Sequence, residues 1–324
     1  MDRISVIIPC YNEEEAIPVY YQAMKKVMES MKKVIFELLF VDDGSTDGTL
    51  PAMRFLAARD SRCRYLSFSR NFGKEAAMYA GLSKAKGDFV TVMDVDLQDP
   101  PSLLPKMYEL LKEGTCGCVA ARRMRRTGEG RLKSFLSDSF YQVMKRLTKT
   151  DIKSGARDYR LMCRPMVDAI LEMSEYNRFT KGIFEWVGFE TQWLEYDYED
   201  RCAGETKWPL RKLFAYALEA VTGFSTAPLS FASAAGIFFL LVSVGMLAVL
   251  LFQTVVVGVQ VPGWASVVCL LLFIGGIQLI CTGIVGLYLS KTYLETKHRP
   301  IYILKEASLT SVGLSKCSSS ERRA

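Results

Sequence analysis

A long uncharged stretch constrains the second half of this chain more than any other feature. No Asp, Glu, Lys, Arg or His occurs between Glu219 and Lys291, and the segment 261–264 interrupts the stretch with a Pro-Gly pair. Each flank is long enough to cross a hydrocarbon core of roughly 30 Å, which needs about 20 helical residues. Soluble helices of this length normally show a polar face. The sequence therefore predicts two transmembrane helices, at residues 231–257 and 265–290.

Basic residues flank both ends of the uncharged stretch, and the connector between the predicted spans has none. They are Arg201, Lys207, Arg211 and Lys212 before the first span and Lys291, Lys297 and Arg299 after the second. Cytoplasmic loops carry the excess of Lys and Arg, so we expect a multi-pass protein of the cell membrane with both termini in the cytoplasm. The N-terminus begins with a strand pattern and acidic residues, so we expect no cleavable signal peptide.

Charge and cysteine content exclude other classes of partner. The chain has a net charge of +6, nine cysteines and a single histidine, His298. Positive charge beside a membrane attracts anionic lipid. No nucleic-acid-binding motif accompanies that charge, so a nucleic-acid partner is not expected. The cysteines lack zinc-ligand spacing, and we interpret them as reduced thiols.

Short apolar runs in the first half of the chain alternate with helical patterns. They cover residues 4–8, 36–41, 64–68 and 89–93, and a polar cluster follows each of them. Strands alternating with helices at this spacing predict an α/β fold with a parallel, doubly wound sheet. Such sheets bind ligands at the carboxyl ends of their strands. We therefore expect the polar clusters to lie at a common ligand site.

A pair of carboxylates follows the fourth apolar run. Asp94 and Asp96 are one residue apart, and strand side chains alternate with a period of two, so we expect both to point the same way. Oxygen ligands suit Mg²⁺ or Mn²⁺, which usually clamp phosphates as well. An isolated Asp-x-Asp is more often a solvated turn, so this interpretation depends on the surrounding motifs.

Four motifs occur in an order that points to a family. They are Pro9-Cys10-Tyr11-Asn12-Glu13, Val41-Asp42-Asp43-Gly44-Ser45-Thr46-Asp47, Ser69-Arg70-Asn71-Phe72-Gly73-Lys74 and Asp94-Val95-Asp96-Leu97-Gln98-Asp99-Pro100. With them the chain resembles the inverting nucleotide-sugar glycosyltransferases of the GT-A fold, a Rossmann-like sheet domain. More narrowly, it resembles their polyprenyl-phosphate branch, which includes dolichyl-phosphate mannose synthase and bacterial undecaprenyl-phosphate glucosyltransferases. The resemblance extends to about Tyr302.

The resemblance implies a nucleotide-sugar donor, and the closer likeness to bacterial glucosyltransferases favours UDP-glucose. The residues implied for the donor are Pro9, Tyr11, Glu13, Val41, Asp43, Lys74 and Asp94. Asp94, Asp96 and Gln98 would hold Mg²⁺ or Mn²⁺, and Asp96 would be catalytic because the ion stabilises the departing pyrophosphate.

The resemblance also implies a polyprenyl phosphate acceptor, such as undecaprenyl phosphate. The segment 154–161 resembles the one that carries a proposed base and then an arginine, which implies Asp158 and Arg160 as catalytic residues here. Arg160 would neutralise and align the acceptor phosphate. Because a phosphate monoester is mostly a dianion at pH 7, we expect Asp158 to place groups at least as much as to accept a proton. Other residues expected to bind the acceptor phosphate are Arg122 and Arg131 of a basic stretch, and Arg201 and Lys207 before the first span. In-line attack would invert the anomeric configuration.

The predicted organisation has five segments. Residues 1–200 form a cytosolic catalytic domain, 201–230 a juxtamembrane amphipathic segment, 231–257 and 265–290 the spans, and 291–324 a partly disordered cytosolic tail. Glycines at 275, 276, 283 and 286 would let helices approach closely. Together with the resemblance, they predict a homo-oligomer, with a tetramer as one form.

Two rival functions share parts of this pattern. A processive polysaccharide synthase carries a Gln-x-x-Arg-Trp segment, whereas Gln192-Trp193 is followed here by Leu194-Glu195. A catalytically dead tether or sensor would have lost a carboxylate, whereas Asp94, Asp96 and Asp158 are all present. Alternative donors are GDP-mannose and UDP-N-acetylglucosamine. The predicted product is a lipid-linked sugar for cell-envelope glycosylation.

Overall fold

The computed structural model describes residues 1–123, 156–196, 227–256 and 263–308. The elements of the first half are β1 (Asp2–Cys10), α1 (Ala16–Ser30), β2 (Val34–Asp42), α2 (Thr49–Arg59), β3 (Cys63–Phe68), α3 (Lys74–Lys84), β4 (Phe89–Val92), α4 (Leu104–Lys112) and β5 (Cys118–Arg123). They are followed by β6 (Ala156–Cys163), α5 (Arg164–Glu172), α6 (Thr180–Trp186), β7 (Thr191–Tyr196), α7 (Ala227–Val256), α8 (Trp264–Thr296) and β8 (Leu304–Ala307).

The strands form one eight-stranded sheet in the order β7-β5-β6-β4-β1-β2-β3-β8. Strands β4, β1, β2 and β3 run parallel, as do β5 and β7. Strand β6 is antiparallel to β4 and β5, and β8 is antiparallel to β3. The mostly parallel α/β sheet predicted from the sequence is confirmed. Because β1 lies between β2 and β4, the strand order reverses there, and a crevice opens at the carboxyl ends of these three strands.

Apolar side chains cover both faces of the sheet. Ile4, Val6 and Ile8 of β1 belong to a core shared with α1, α2 and α4. Ile7 belongs to the opposite core, shared with α3, α5 and α6. The strand period of two sends neighbouring residues to opposite faces, and burial on both faces explains why the central strands read as continuous apolar runs. This two-sided burial leaves the strand ends as the place where polar side chains collect.

The fourth strand is shorter than the sequence indicates. Strand β4 ends at Val92, and Asp94 and Asp96 lie in the turn that follows, where Leu97 has a φ of +56°. The expectation that strand alternation aligns the two carboxylates is therefore wrong in its mechanism. A tight turn sets their directions, because the backbone leaves the sheet before it reaches them.

The segment after α8 returns to the sheet. From the sequence this segment was expected to form part of a cytosolic tail. Strand β8 pairs with β3, and Arg54 donates to both carboxylate oxygens of Glu306 at 2.8 and 2.6 Å. The ring of Tyr302 stacks on Phe68 with centroids 5.0 Å apart. These contacts hold the segment after α8 against the eight-stranded sheet. Residues 309–324 lie outside the described part of the chain.

Two helices of the described residues are long and apolar enough to cross a membrane, by length and composition. They are α7 and α8, in which the candidate membrane spans are Pro228–Met246 and Phe273–Thr296. Large apolar side chains project outward, as in Leu241 at 66% and Leu279 at 75% exposure, and Phe239 contacts Phe273 between the helices.

Both apolar helices extend beyond the predicted spans. Helix α7 begins at Ala227, before the predicted span, and α8 continues to Thr296, past the charged residues Lys291 and Glu295. Of the predicted juxtamembrane segment, residues 201–226 lie outside the described residues. The segment boundaries stay predictions.

Candidate active site

A cavity of about 350 Å³ opens at the carboxyl ends of β1, β2 and β4. Residues from each of the four motifs border it: Pro9, Cys10, Tyr11, Glu13, Asp43, Asn71, Gly73, Lys74, Ala77, Asp94, Val95 and Asp96. The polar clusters that are far apart in the sequence thus share one cavity, as expected for the switch point of such a sheet. A cavity of this size is within the range of small-molecule sites.

The loops that follow β1 and β2 are joined by hydrogen bonds. Asn12 has a φ of +56°, its backbone N–H donates to Ser45 Oγ at 3.0 Å, and its Oδ1 accepts the Thr46 N–H at 2.9 Å. The Glu13 N–H donates to Thr49 Oγ1 at 2.8 Å. These contacts hold the backbone on both sides of the Tyr11 and Glu13 side chains that border the cavity.

The two adjacent aspartates at the end of β2 have different roles. Asp42 is buried and accepts hydrogen bonds from the Ser45 N–H at 2.9 Å and the Ser67 hydroxyl at 2.7 Å. Asp43 borders the cavity and accepts the backbone N–H groups of Phe72 and Gly73. Burial raises the pKa of the Asp43 carboxyl, and the two amide hydrogen bonds oppose that rise.

A glycine is required directly after this pair. Gly44 has a φ of +69°, and a Cβ placed on it would lie 2.3 Å from the backbone carbonyl carbon of Arg70. Any other residue would be strained in φ and would clash with backbone that cannot move aside. The glycine thus allows the 70–73 loop to come close enough for its amides to reach Asp43.

Arg157 of β6 holds the turn that carries Asp94 and Asp96 through hydrogen bonds. Arg157 Nη2 donates to Gln98 Oε1 at 2.9 Å, and its Nε donates to Asp99 Oδ1 at 3.0 Å. Asp99 is 2% exposed and also accepts the Tyr196 hydroxyl. Gln98 does not border the cavity, because its side-chain oxygen faces Arg157 instead. In this structure the Gln98 side chain contacts Arg157 rather than the cavity, and its role as a metal ligand stays a prediction.

Lys74 connects the two carboxylates that the sequence analysis placed in separate roles. Its Nζ lies 2.7 Å from Asp94 Oδ1 and 2.8 Å from Asp158 Oδ2. Lys181 Nζ lies 4.0 Å from the other oxygen of Asp158. Burial acts to raise the pKa of Asp158, but the nearby charges of Lys74, Lys181 and Arg160 outweigh it and hold that pKa well below its usual value. Burial acts to lower the pKa of Lys74, and the two carboxylates reverse this and raise it.

The described residues contain no group of three or more His, Cys, Asp or Glu side chains placed to hold a metal ion. Asp94 and Asp96 nevertheless supply hard oxygen ligands at the cavity wall. Such a pair fits Mg²⁺ or Mn²⁺, which usually bind through one or two carboxylates and complete their coordination with water and a substrate phosphate. The donor set therefore fits a metal shared with a ligand better than a closed structural site.

Arg160 is not placed to contact a substrate. It lies on the same face of β6 as Asp158 but is 1% exposed, with its guanidinium 4.1 Å from the ring centroid of Phe184 and Nη1 3.6 Å from Glu185 Oε1. In this structure α6 covers the guanidinium, and the expected contact between Arg160 and an acceptor phosphate stays a prediction. Its charge acts on Asp158 through the protein interior.

Other predicted residues also lie away from the cavity. The Val41 side chain is fully buried in the core, so only its backbone can take part. Asp158 sits behind Lys74 rather than at the cavity wall. Arg122 lies at the end of β5, with Nη1 3.5 Å from Glu195 Oε1. Arg131, Arg201 and Lys207 lie outside the described residues.

Several cavity residues were missed from the sequence. Asn71 and Gly73 belong to a motif that was recognised, and their position beside Lys74 was the available signal. Cys10, Ala77 and Val95 also line the wall. No sequence pattern indicated Lys181, because nothing in the sequence relates position 181 to Asp158.

The family model for glycosyl transferase family 2 matches residues 5–171. The chain is 41% identical to a prophage bactoprenol glucosyl transferase homolog of Escherichia coli strain K12, over 94% of this chain and 98% of the relative. It is also 41% identical to the bactoprenol glucosyl transferase of Shigella phage SfV, with the same coverage. Among solved structures, glucosyl-3-phosphoglycerate synthase from Mycobacterium tuberculosis has 21% identity and a TM-score of 0.45, covering 68% of this chain and 78% of that one.

The coverage and identity of the sequence matches show the family to which the chain belongs. The family model covers more than half of the chain, and the two relatives match along nearly their whole length. The crevice at the reversal of strand order holds residues of all four motifs, which is where open α/β sheets bind their ligands. The protein belongs to glycosyl transferase family 2 and is a glycosyltransferase.

Proposed function

We propose that the protein transfers glucose from UDP-glucose to a polyprenyl phosphate such as undecaprenyl phosphate. The observation that carries this proposal is the cavity in which Asp43, Asp94, Asp96 and Lys74 meet. The names of the relatives, bactoprenol glucosyl transferases at 41% identity, support the sugar and the lipid. The lipid-linked glucose would serve as a donor for glycosylation of the cell envelope.

The donor end of the site is built from the first two motifs. Tyr11 and Pro9 offer apolar surface to a nucleobase, while Asp43 and Glu13 offer acceptors to base and ribose groups. Val41 would contribute only through its backbone. Lys74 would be drawn to the pyrophosphate, since it is the lysine at the cavity wall and already lies between two carboxylates.

Asp94 and Asp96 would hold Mg²⁺ or Mn²⁺ at the pyrophosphate, and Gln98 would act on the ion only through its N–H bond to Asp96 Oδ1, at 3.1 Å. When bound, the ion would neutralise charge on the leaving group. The chain's own part is to keep the two carboxylates oriented, which Arg157 does by fixing residues 98 and 99.

The acceptor would attack through its own phosphate oxygen. A phosphate monoester has a second pKa of about 6 and is mostly dianionic at neutral pH, so a base is less necessary than for a sugar hydroxyl. Asp158, with its lowered pKa, suits a role in which it stays ionised and orients Lys74. Arg122, Arg131, Arg201 and Lys207 are proposed to receive the acceptor phosphate, and Arg160 to act indirectly through Asp158. In-line attack would invert the anomeric centre.

The apolar helices support a membrane location. Helices α7 and α8 are proposed to cross the cell membrane with the catalytic sheet and both termini in the cytoplasm, where nucleotide sugars are made. Helix α8 and β8 would then hold the cavity close to the inner leaflet, where a polyprenyl phosphate presents its headgroup. A homo-oligomer stays a prediction from the small residues of the second span.

The test is to incubate membranes containing the protein with labelled UDP-glucose and undecaprenyl phosphate, and to identify the organic-extractable product by mass spectrometry. GDP-mannose and UDP-N-acetylglucosamine serve as competing donors, and membranes with Asp96→Ala as the negative control. We expect a mild-acid-labile glucosyl phosphate lipid from UDP-glucose. Formation of an insoluble polymer would support a polysaccharide synthase, and donor binding without turnover would support a sensor; either would overturn the proposal.

A further inference from the structure

Asp158 faces one ammonium group on each of its carboxylate oxygens. Lys74 Nζ lies 2.8 Å from Oδ2, and Lys181 Nζ lies 4.0 Å from Oδ1. The Asp158 side chain is only 16% exposed, so its charge depends on these neighbours. A mostly buried carboxylate that loses its cationic partner is strongly destabilised.

The two lysines differ in what else they contact. Lys74 is shared with Asp94 and borders the cavity, whereas Lys181 does not border it. An anionic donor in the cavity attracts the Lys74 ammonium, because Lys74 borders the cavity. Lys74 then contributes less to Asp158 while the donor is bound. Lys181 is the ammonium group that stays with Asp158, together with the buried charge of Arg160.

The first turn of α6 holds Lys181 in place through its neighbour. The Thr180 N–H donates to Glu75 Oε2 at 3.0 Å, and the Thr180 hydroxyl donates to the same oxygen. Glu75 follows Lys74 directly on α3. The hydrogen bonds between positions 75 and 180 therefore fix the spacing of the two lysines around Asp158.

The loop that leads into α6 is held in turn by the charged end of the apolar helix α8. Glu295 Oε1 accepts the backbone N–H groups of Tyr176 at 3.0 Å and Asn177 at 3.1 Å, and Oε2 also accepts the Tyr176 N–H at 3.1 Å. Two residues, Arg178 and Phe179, separate Asn177 from Thr180. A shift of α8 would therefore move this loop and, with it, the first turn of α6 that carries Lys181.

We propose that Lys181 is a positioning residue for the transfer reaction: it keeps Asp158 in place when Lys74 engages the donor, and Glu295 sets the position of Lys181. The inference rests on the proposed function for its kinetic test. The charged end of α8 would thus affect the geometry of the active site through the short loop that precedes α6.

The first experiment compares Lys181→Met with Lys181→Arg in the full-length membrane enzyme. We expect Lys181→Met to lower kcat by about tenfold or more, with the KM for UDP-glucose little changed, because the group orients Asp158 and does not touch the donor. Lys181→Arg should restore most of the rate. Lys84→Met, at the exposed far end of α3, is the matched control. A wild-type kcat for Lys181→Met, or an equal loss for Lys181→Arg, would overturn the proposal.

The second experiment joins Glu295→Ala to Lys181→Met in a double-mutant cycle. If Glu295 acts through Lys181, the double variant should be no slower than Lys181→Met alone, whereas independent structural damage should add. Glu295→Gln, which keeps an acceptor oxygen for the two amides, should lose less activity than Glu295→Ala. Fully additive losses would refute the connection.

Hydrogen exchange separates this inference from the function itself. In Glu295→Ala the amides of Tyr176, Asn177 and Thr180 should exchange faster than in the wild type, whatever the substrate is. Unchanged exchange at Thr180 would contradict the link between α8 and α6. If the wild type fails to turn over UDP-glucose while exchange changes as expected, the proposed function fails and the structural link stands.

Discussion

The ammonium group of Lys74 lies 2.7 Å from Oδ1 of Asp94 and 3.0 Å from Oδ2 of the same residue. One lysine therefore contacts both oxygens that a divalent ion would use. Two cations cannot approach one carboxylate so closely without repelling each other. Metal binding at Asp94 and the Lys74 contact should therefore compete.

The first prediction follows from this competition. Replacing Lys74 by Met should tighten Mn²⁺ binding by about tenfold or more, since a charge that repels the ion is removed. The same variant should lose turnover, because the donor pyrophosphate loses a partner. Free Mn²⁺ can be measured by electron paramagnetic resonance during titration, with Lys84→Met as the control. Weaker Mn²⁺ binding in Lys74→Met would show that the lysine supports the metal site rather than competing with it.

A second prediction concerns the metal requirement. Chelation with EDTA should abolish transfer, and Mg²⁺ or Mn²⁺ should restore it. Asp96→Ala should lower kcat by about 100-fold or more, in the range seen when one stabilising group for a developing charge is removed. Asp168→Ala, at an exposed residue of α5, is the matched control. Full activity in EDTA would remove Asp94 and Asp96 from the role of metal ligands.

The third prediction concerns the pH dependence of Asp158. Its lowered pKa means that it stays ionised throughout pH 5.5–8.5 and has little affinity for a proton in that window. A base would matter most below about pH 6, where the acceptor phosphate carries its second proton. We therefore expect the kcat/KM deficit of Asp158→Asn to be nearly constant with pH. A deficit that shrinks about tenfold from low to high pH would make Asp158 a general base.

A fourth prediction concerns stability around the turn after β4. Arg157→Met would leave the buried Asp99 carboxylate with fewer partners and should lower the free energy of unfolding by about 3 kcal/mol. The double variant Arg157→Met with Asp99→Asn should recover part of that loss, because no charge is then left buried. Denaturant unfolding followed by circular dichroism checks both. Equal stability of Arg157→Met and the wild type would show that Tyr196 alone satisfies Asp99.

The fifth prediction concerns topology. A cysteine introduced at Gly263, at the start of α8, should react with a membrane-impermeant reagent added to intact cells. A cysteine at Glu113, at the end of α4, should react only after the cells are opened. The wild type corrects for native thiols. The opposite pattern would place the catalytic sheet outside the cytoplasm.

The sequence alone determined the features that depend on local pattern. Apolar runs alternating with helices established the α/β sheet, since strands buried on both faces must be apolar throughout. The uncharged stretch established two long apolar helices. The motifs after β1, β2, β3 and β4 identified the cavity residues Tyr11, Glu13, Asp43, Lys74, Asp94 and Asp96, because parallel strands place their carboxyl ends together.

Only the tertiary structure decided which charges face each other. The resemblance implied that Arg160 aligns a phosphate, yet α6 packs over it, and nothing in the pattern of β6 indicates what covers that face. Lys74 meets Asp158 across 84 positions of sequence, and Glu295 reaches Tyr176 across 119. Such contacts depend on how separate elements pack, and a side chain's hydrogen-bonding partner is set by the geometry of that packing rather than by its neighbours along the chain.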